Sequence, residues 1–171
     1  TLAGSSAASD VYKRQSPYHL RFMNRKFPRS IGKGGIRSHK TEGDGATPRG
    51  THRIVGMLYR PDRMEKPTDW ARPIHPGDLW SDDHTHEDYN MMVRAPYKYS
   101  HEKLRRADPL YDLVILTDWN WPYPVKGRGS AIFIHRWRKL RHPTEGCIGL
   151  RMVDLAWIAP RIQYSTRLIV L

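Results

Sequence analysis

The chain has 171 residues, with 29 Lys and Arg against 17 Asp and Glu, for a formal net charge of +12. That length fits one domain, and no apolar run approaches the roughly 18 residues of a membrane-crossing helix. One cysteine, Cys147, excludes an internal disulfide and the thiolate-rich zinc frameworks. The positive balance favours an anionic partner such as nucleic acid, anionic lipid or an acidic polymer. A generic basic protein fits equally well, because lysine and arginine are spread along the chain.

Residues 5–15 read SSAASDVYKRQ, which resembles an in-frame translation of a transposase adapter used in sequencing-library preparation. Residues 1–15 are therefore expected to be such a translation or a disordered polar tail, and the domain is expected to run from 16 to 171. Residues 18–24 (YHLRFMN) and 26–31 (KFPRSI) predict two short strands joined by a tight turn. Glycines follow at 32, 34 and 35, then a polar, turn-rich stretch to Gly50. Residues 52–59 (HRIVGMLY) predict a strand.

Residues 60–99 hold Pro61, Pro67, Pro73, Pro76 and Pro96 and predict a long irregular region anchored by Trp70, Trp80 and Tyr89. Residues 111–117 (YDLVILT) and 130–135 (SAIFIH) predict buried strands. Residues 151–162 form the one amphipathic helical pattern, with Met152, Leu155, Ile158 and Ile162 on one face and Pro160 distorting the last turn. Residues 166–171 (TRLIVL) predict a closing strand. The expected class is mainly β, with one helix in the C-terminal half.

The chemistry concentrates between residues 130 and 155. A strand ends on His135, a basic loop RWRKLRH follows, and PTEGCIGL brings Cys147 12 residues after the histidine. A free thiol is only a few per cent ionised at neutral pH, and an imidazole beside it can take its proton and later return it to a leaving amine. Gly146 clears space beside the sulfur. Backbone N–H groups at Gly146 and Cys147, with the Thr144 hydroxyl, are candidate oxyanion donors. On spacing alone, a buried inert thiol and a core histidine remain equally open.

The order strand, His135, loop, Thr144-Glu145-Gly146-Cys147 resembles the catalytic signature of the YkuD-type L,D-transpeptidases. GKGGI at 32–36, GDGATPRG at 43–50, DYN at 88–90, LYDLVIL at 110–116 and GRGSAIFIH at 127–135 extend the likeness along the chain, toward a proteobacterial subgroup. The resemblance implies a β-sandwich-like catalytic domain without a cofactor. It implies Cys147 as acylated nucleophile, His135 as general base, and Gly146 and Thr144 as motif support. Tyr89 and Asn90 would line the site, and peptidoglycan stem peptides in the cell envelope or periplasm would be the partners.

Two positions depart from the pattern: many relatives carry His at the place of Glu145, and Arg or Asn at that of Gly149. Arg128 or Arg151 is then expected to bind the substrate carboxylate. Asp112, Asp118 or a backbone carbonyl is expected to orient His135. The stretch DDHTHED at 82–88 reads as a polar surface loop, with no metal expected. The loop RWRKLRH reads as a rim for anionic substrate that also lowers the thiol pKa, and no nucleic acid is expected. A hydrolase on the same thioester route, and a basic module with an incidental cysteine, are the alternatives.

Overall fold

A computed structural model describes residues 18–171. The adapter or tail expected at 1–15 lies outside the described residues. β1 (His19–Phe22) and β2 (Arg25–Ser30) form the expected antiparallel hairpin, turning through Met23 and Asn24 at positive φ. The glycine-rich stretch holds two-residue strands, β3 (Ile36–Arg37) and β4 (Thr47–Pro48), paired in parallel. β5 (Gly50–Tyr59) is the longest strand.

The middle of the chain is more ordered than its prolines suggest. It carries β6 (Arg72–Pro73), β7 (Asp78–Ser81), β8 (Met92–Arg94) and β9 (His101–Lys103). The last three make a separate antiparallel sheet in the order β8-β7-β9. The prolines do not interrupt it. Pro73 sits in β6, which pairs only with β5, while Pro76 and Pro96 lie between strands.

β10 (Leu113–Thr117), β11 (Phe133–Arg136) and β12 (Ile148–Leu150) follow, then helix α1 (Met152–Ile158) and β13 (Arg167–Val170). The large sheet runs β1-β2-β12-β11-β10-β5-β13, with β6 added beside β5. α1 ends earlier than its apolar pattern suggests. Pro160 has no N–H to continue the ladder, and residues 159–161 tighten into a 3-10 turn.

Alternate residues of the large sheet face different layers. Leu113, Ile115, Ile134, Ile148 and Leu150 pack on Leu155, Ile158 and Ile162 in a dry apolar core. Val114, Leu58 and Phe133 face the other way and pack with Trp80, Leu104 and Tyr111. Trp80 of β7 meets Phe133 edge to face at 5.0 Å, which seats the small sheet over this second face. The mainly β, sandwich-like class expected from the sequence is what the chain adopts. The second face also carries His135 and Cys147.

Candidate active site

β11 and β12 are neighbours in parallel, with Ile134 opposite Ile148 and His135 opposite Gly149. Cys147, one residue before β12, therefore lies level with Phe133 and two residues short of His135 along the strand. The Phe133 N–H approaches Cys147 Sγ at 3.4 Å. Strand alternation places Phe133 and His135 on one face, so thiol and imidazole line the same cleft of about 470 Å³. The 12-residue separation is spanned by an ordinary parallel crossover loop.

The loop that presents Cys147 packs against two glycine-bearing segments, around Gly32 and Gly45. Gly146 has φ +138°, and a Cβ there would lie 2.8 Å from the Ala46 carbonyl oxygen. A Cβ on Gly32 would lie 2.1 Å from the Gly45 carbonyl oxygen and 2.9 Å from Gly146 Cα. Only hydrogen fits at these two contacts.

Thr47 ties the segments together. Its hydroxyl accepts from Gly32 N at 2.9 Å and donates to the Gly146 carbonyl at 2.8 Å. Thr144 does the same within the nucleophile loop, accepting from Gly146 N at 3.1 Å and donating to the Cys147 carbonyl at 2.6 Å. The Gly146 N–H and the Thr144 hydroxyl, expected as oxyanion donors, are thus spent on shaping the turn. Thr47 lies inside a quoted motif, yet nothing in the linear sequence shows that it reaches residue 146.

His135 is buried, and its Nδ1 lies 2.7 Å from the Arg136 carbonyl. A carbonyl only accepts, so Nδ1 carries the proton and Nε2 is left as the basic nitrogen. The orienting group is therefore a backbone carbonyl. Asp112 pairs with Arg63 at 2.7 Å, and Asp118 accepts from Arg53 N at 2.8 Å. Burial, reinforced by Arg106 and Arg138, pushes the imidazole down to about 4.

The thiol does not ionise early. Cys147 Sγ donates to the Ala131 carbonyl at 3.0 Å. Burial first, and the Glu102 carboxylate second, push it up to about 12. The basic loop was expected to lower this value. Its Arg138 acts instead on the imidazole, and the sulfur answers to its apolar surroundings and to Glu102. At neutral pH the resting pair is a thiol and a neutral imidazole.

Tyr89 and Asn90 do not line the cleft. They are 1% and 2% exposed and brace its wall from behind. The Tyr89 hydroxyl donates to Glu42 and accepts from Gly129 N. Asn90 Oδ1 accepts from Trp80 Nε1 and Ala131 N, while its amide donates to the carbonyls of Trp119 and Asn120. Asn90 thereby fixes the segment leading into β11, whose Ala131 carbonyl holds the thiol.

Arg128 lies over the Trp119 ring, and Arg151 grips Asp154 through two bonds of 2.6 and 3.0 Å. Neither borders the cleft. The cations that do are Lys103, Arg106 and Arg138. Lys103 and Arg106 come from a stretch with no motif, and strand pairing of β9 with β7 brings it over the site. Gly149 is tightly packed, since a Cβ there would lie 3.0 Å from Trp137 Cβ and would require Trp137 to shift. Trp137 packs directly over Gly149. Glu145 forms an exposed ion pair with Lys33 at 2.8 Å.

In the 82–88 stretch, Asp83 accepts from the Thr85 N–H and hydroxyl, and His86 stacks on Tyr99 at 3.8 Å. Among the described residues no group of three or more His, Cys, Asp or Glu is placed to hold a metal ion. No described helix is long and apolar enough to cross a membrane.

A family model described as the L,D-transpeptidase catalytic domain, YkuD, matches residues 12–170. No curated protein matches the chain.

Proposed function

The chain belongs to the L,D-transpeptidase catalytic-domain family, and on that premise we propose that it transfers peptidoglycan stem peptides through a thioester on Cys147. The observation that carries this reading is the shared cleft, with His135 reaching it from β11 and Cys147 from the residue that leads into the adjacent parallel strand β12. Lys103 and Arg138 border the same space, suited to the carboxylates of a stem peptide.

The reaction begins as the thiol leaves its bond to the Ala131 carbonyl and its proton passes to His135 Nε2. The sulfur attacks the stem carbonyl. The imidazolium then returns the proton to the departing amine of the terminal residue, leaving the thioester. Proton transfer coincides with attack, because neither group is charged at rest. An amine of a second stem resolves the thioester, and the cell envelope is where such a substrate lies.

Chromatography of the products from purified tetrapeptide muropeptides tests this. Wild type should release the terminal amino acid and form crosslinked dimers. Tripeptide alone, even with acceptor in excess, would favour the hydrolase. No turnover at all would contradict the proposal.

A further inference from the structure

The cleft also contains a carboxylate that the reaction above does not use. Glu102 sits on β9 opposite Trp80, whose ring packs on Phe133, the residue whose N–H reaches the Cys147 sulfur. From the other side, the Tyr111 hydroxyl donates to Glu102 Oε2 at 2.6 Å, and the Tyr111 ring meets His135 edge to face at 5.1 Å. Glu102 is thus fastened in the cleft that Cys147 and His135 border.

Its charge has no ion-pair partner among the described residues and is offset only by the nearby Arg106. Of the two carboxylates bordering the cleft, Glu145 is paired with Lys33, whereas Glu102 makes no ion pair among the described residues. The nearby Arg106 is held by Asp108 through bonds of 2.8 and 2.6 Å. Oε1 of Glu102 makes no hydrogen bond among the described residues. A carboxylate without an ion-pair partner, with one oxygen open to the cleft, is a site for a cationic ligand group.

We propose that Glu102, steadied by Tyr111, is the docking site for the primary ammonium group of the acceptor that resolves the Cys147 thioester. This rests on the transpeptidase reading. The ammonium gives one proton to the Glu102 carboxylate and becomes a neutral amine. Its lone pair attacks the thioester carbonyl, the C–N bond forms, and the C–S bond breaks. The second amine proton passes through His135 to the departing sulfur, which restores the thiol, and Glu102 releases its proton to water. Burial raises Glu102 above the usual carboxylate range, which suits a group that must accept a proton.

The test compares wild type with Glu102→Gln. The donor is a tetrapeptide muropeptide, and the acceptor is either Nα-acetyl-lysine, an ammonium at neutral pH, or hydroxylamine, which is neutral there. Intact mass gives acylation, and chromatography gives the ratio of transferred to hydrolysed product. The ratio for Nα-acetyl-lysine should fall roughly ten- to hundredfold, the scale of a lost charge-assisted bond, while that for hydroxylamine holds.

Glu102→Asp should recover part of the loss. Tyr111→Phe should show the same selective fall, and it carries the test if Glu102→Gln misfolds. An unchanged ratio, or equal falls for both nucleophiles, would overturn the ammonium site alone. Failure of wild type to acylate would overturn the transpeptidase reading with it.

Discussion

β10 and β11 present Leu113, Ile115 and Ile134 to α1 and, from the intervening positions, Val114, Phe133 and His135 to the opposite face, where His135 borders the cleft. The α1 side is apolar throughout, so its energy is spread over many exchangeable contacts. On the cleft side a few polar atoms have fixed partners, and each partner decides what its neighbour can do. The Arg136 carbonyl sets the imidazole tautomer, the Ala131 carbonyl parks the thiol, and Asn90 holds the Ala131 backbone from behind. A loss on the first face should cost stability, and a loss on the second should cost chemistry.

The largest expected effect is on the cleft face. Cys147→Ala should abolish acylation by donor stem or carbapenem, read by intact mass, and leave the melting temperature close to wild type. On the opposite face, Leu155→Ala should destabilise the domain by about 2–5 kcal/mol, since Leu155 is fully buried on the sheet-facing side of α1. Denaturant titration measures this, and the protein still folded should acylate normally. If Leu155→Ala slowed acylation of the folded fraction, the two faces would not be separable.

A pH profile sharpens the same contrast. Attack requires neutral His135, whose pKa burial lowers to about 4 from the usual 6.5. The acylation rate should therefore persist as pH falls through 6.5 and drop only as pH nears 4. A thiol raised to about 12 should react with iodoacetamide at a rate still climbing above pH 9. A plateau near neutrality would mean a pre-formed thiolate–imidazolium pair.

The smallest effects belong to Arg128→Ala and Arg151→Ala. The first removes an exposed stack on Trp119 and the second an exposed partner of Asp154. Donor KM should be unchanged in both, with stability altered by less than about 1 kcal/mol.

These two arginines also mark the limit of what the sequence discloses. The hairpin at residues 19–30, the strands around 54, 115 and 134, and the buried face of α1 follow from local periodicity and turn residues. His135 and Cys147 stand out because motif order is local too. The partners in the cleft are not local. Glu102 and Lys103 reach the site through strand pairing over a proline-rich stretch, and Thr47 reaches Gly146 across 99 residues.

Tyr89 and Asn90 illustrate the converse. Their place in a motif suggested contact with substrate, whereas their hydrogen bonds show them bracing the wall. The effect of the basic loop on the sulfur was also not legible, because charge is visible in a sequence and desolvation is not.

The central claim, that Cys147 carries the acyl group, is tested most directly by intact-protein mass spectrometry of wild type mixed with a tetrapeptide muropeptide. A mass increase equal to the donor less its terminal amino acid, located to the peptide containing Cys147 and missing from Cys147→Ala, is the predicted result. Release of the terminal amino acid without an adduct on Cys147, or with Cys147→Ala equally active, would contradict it.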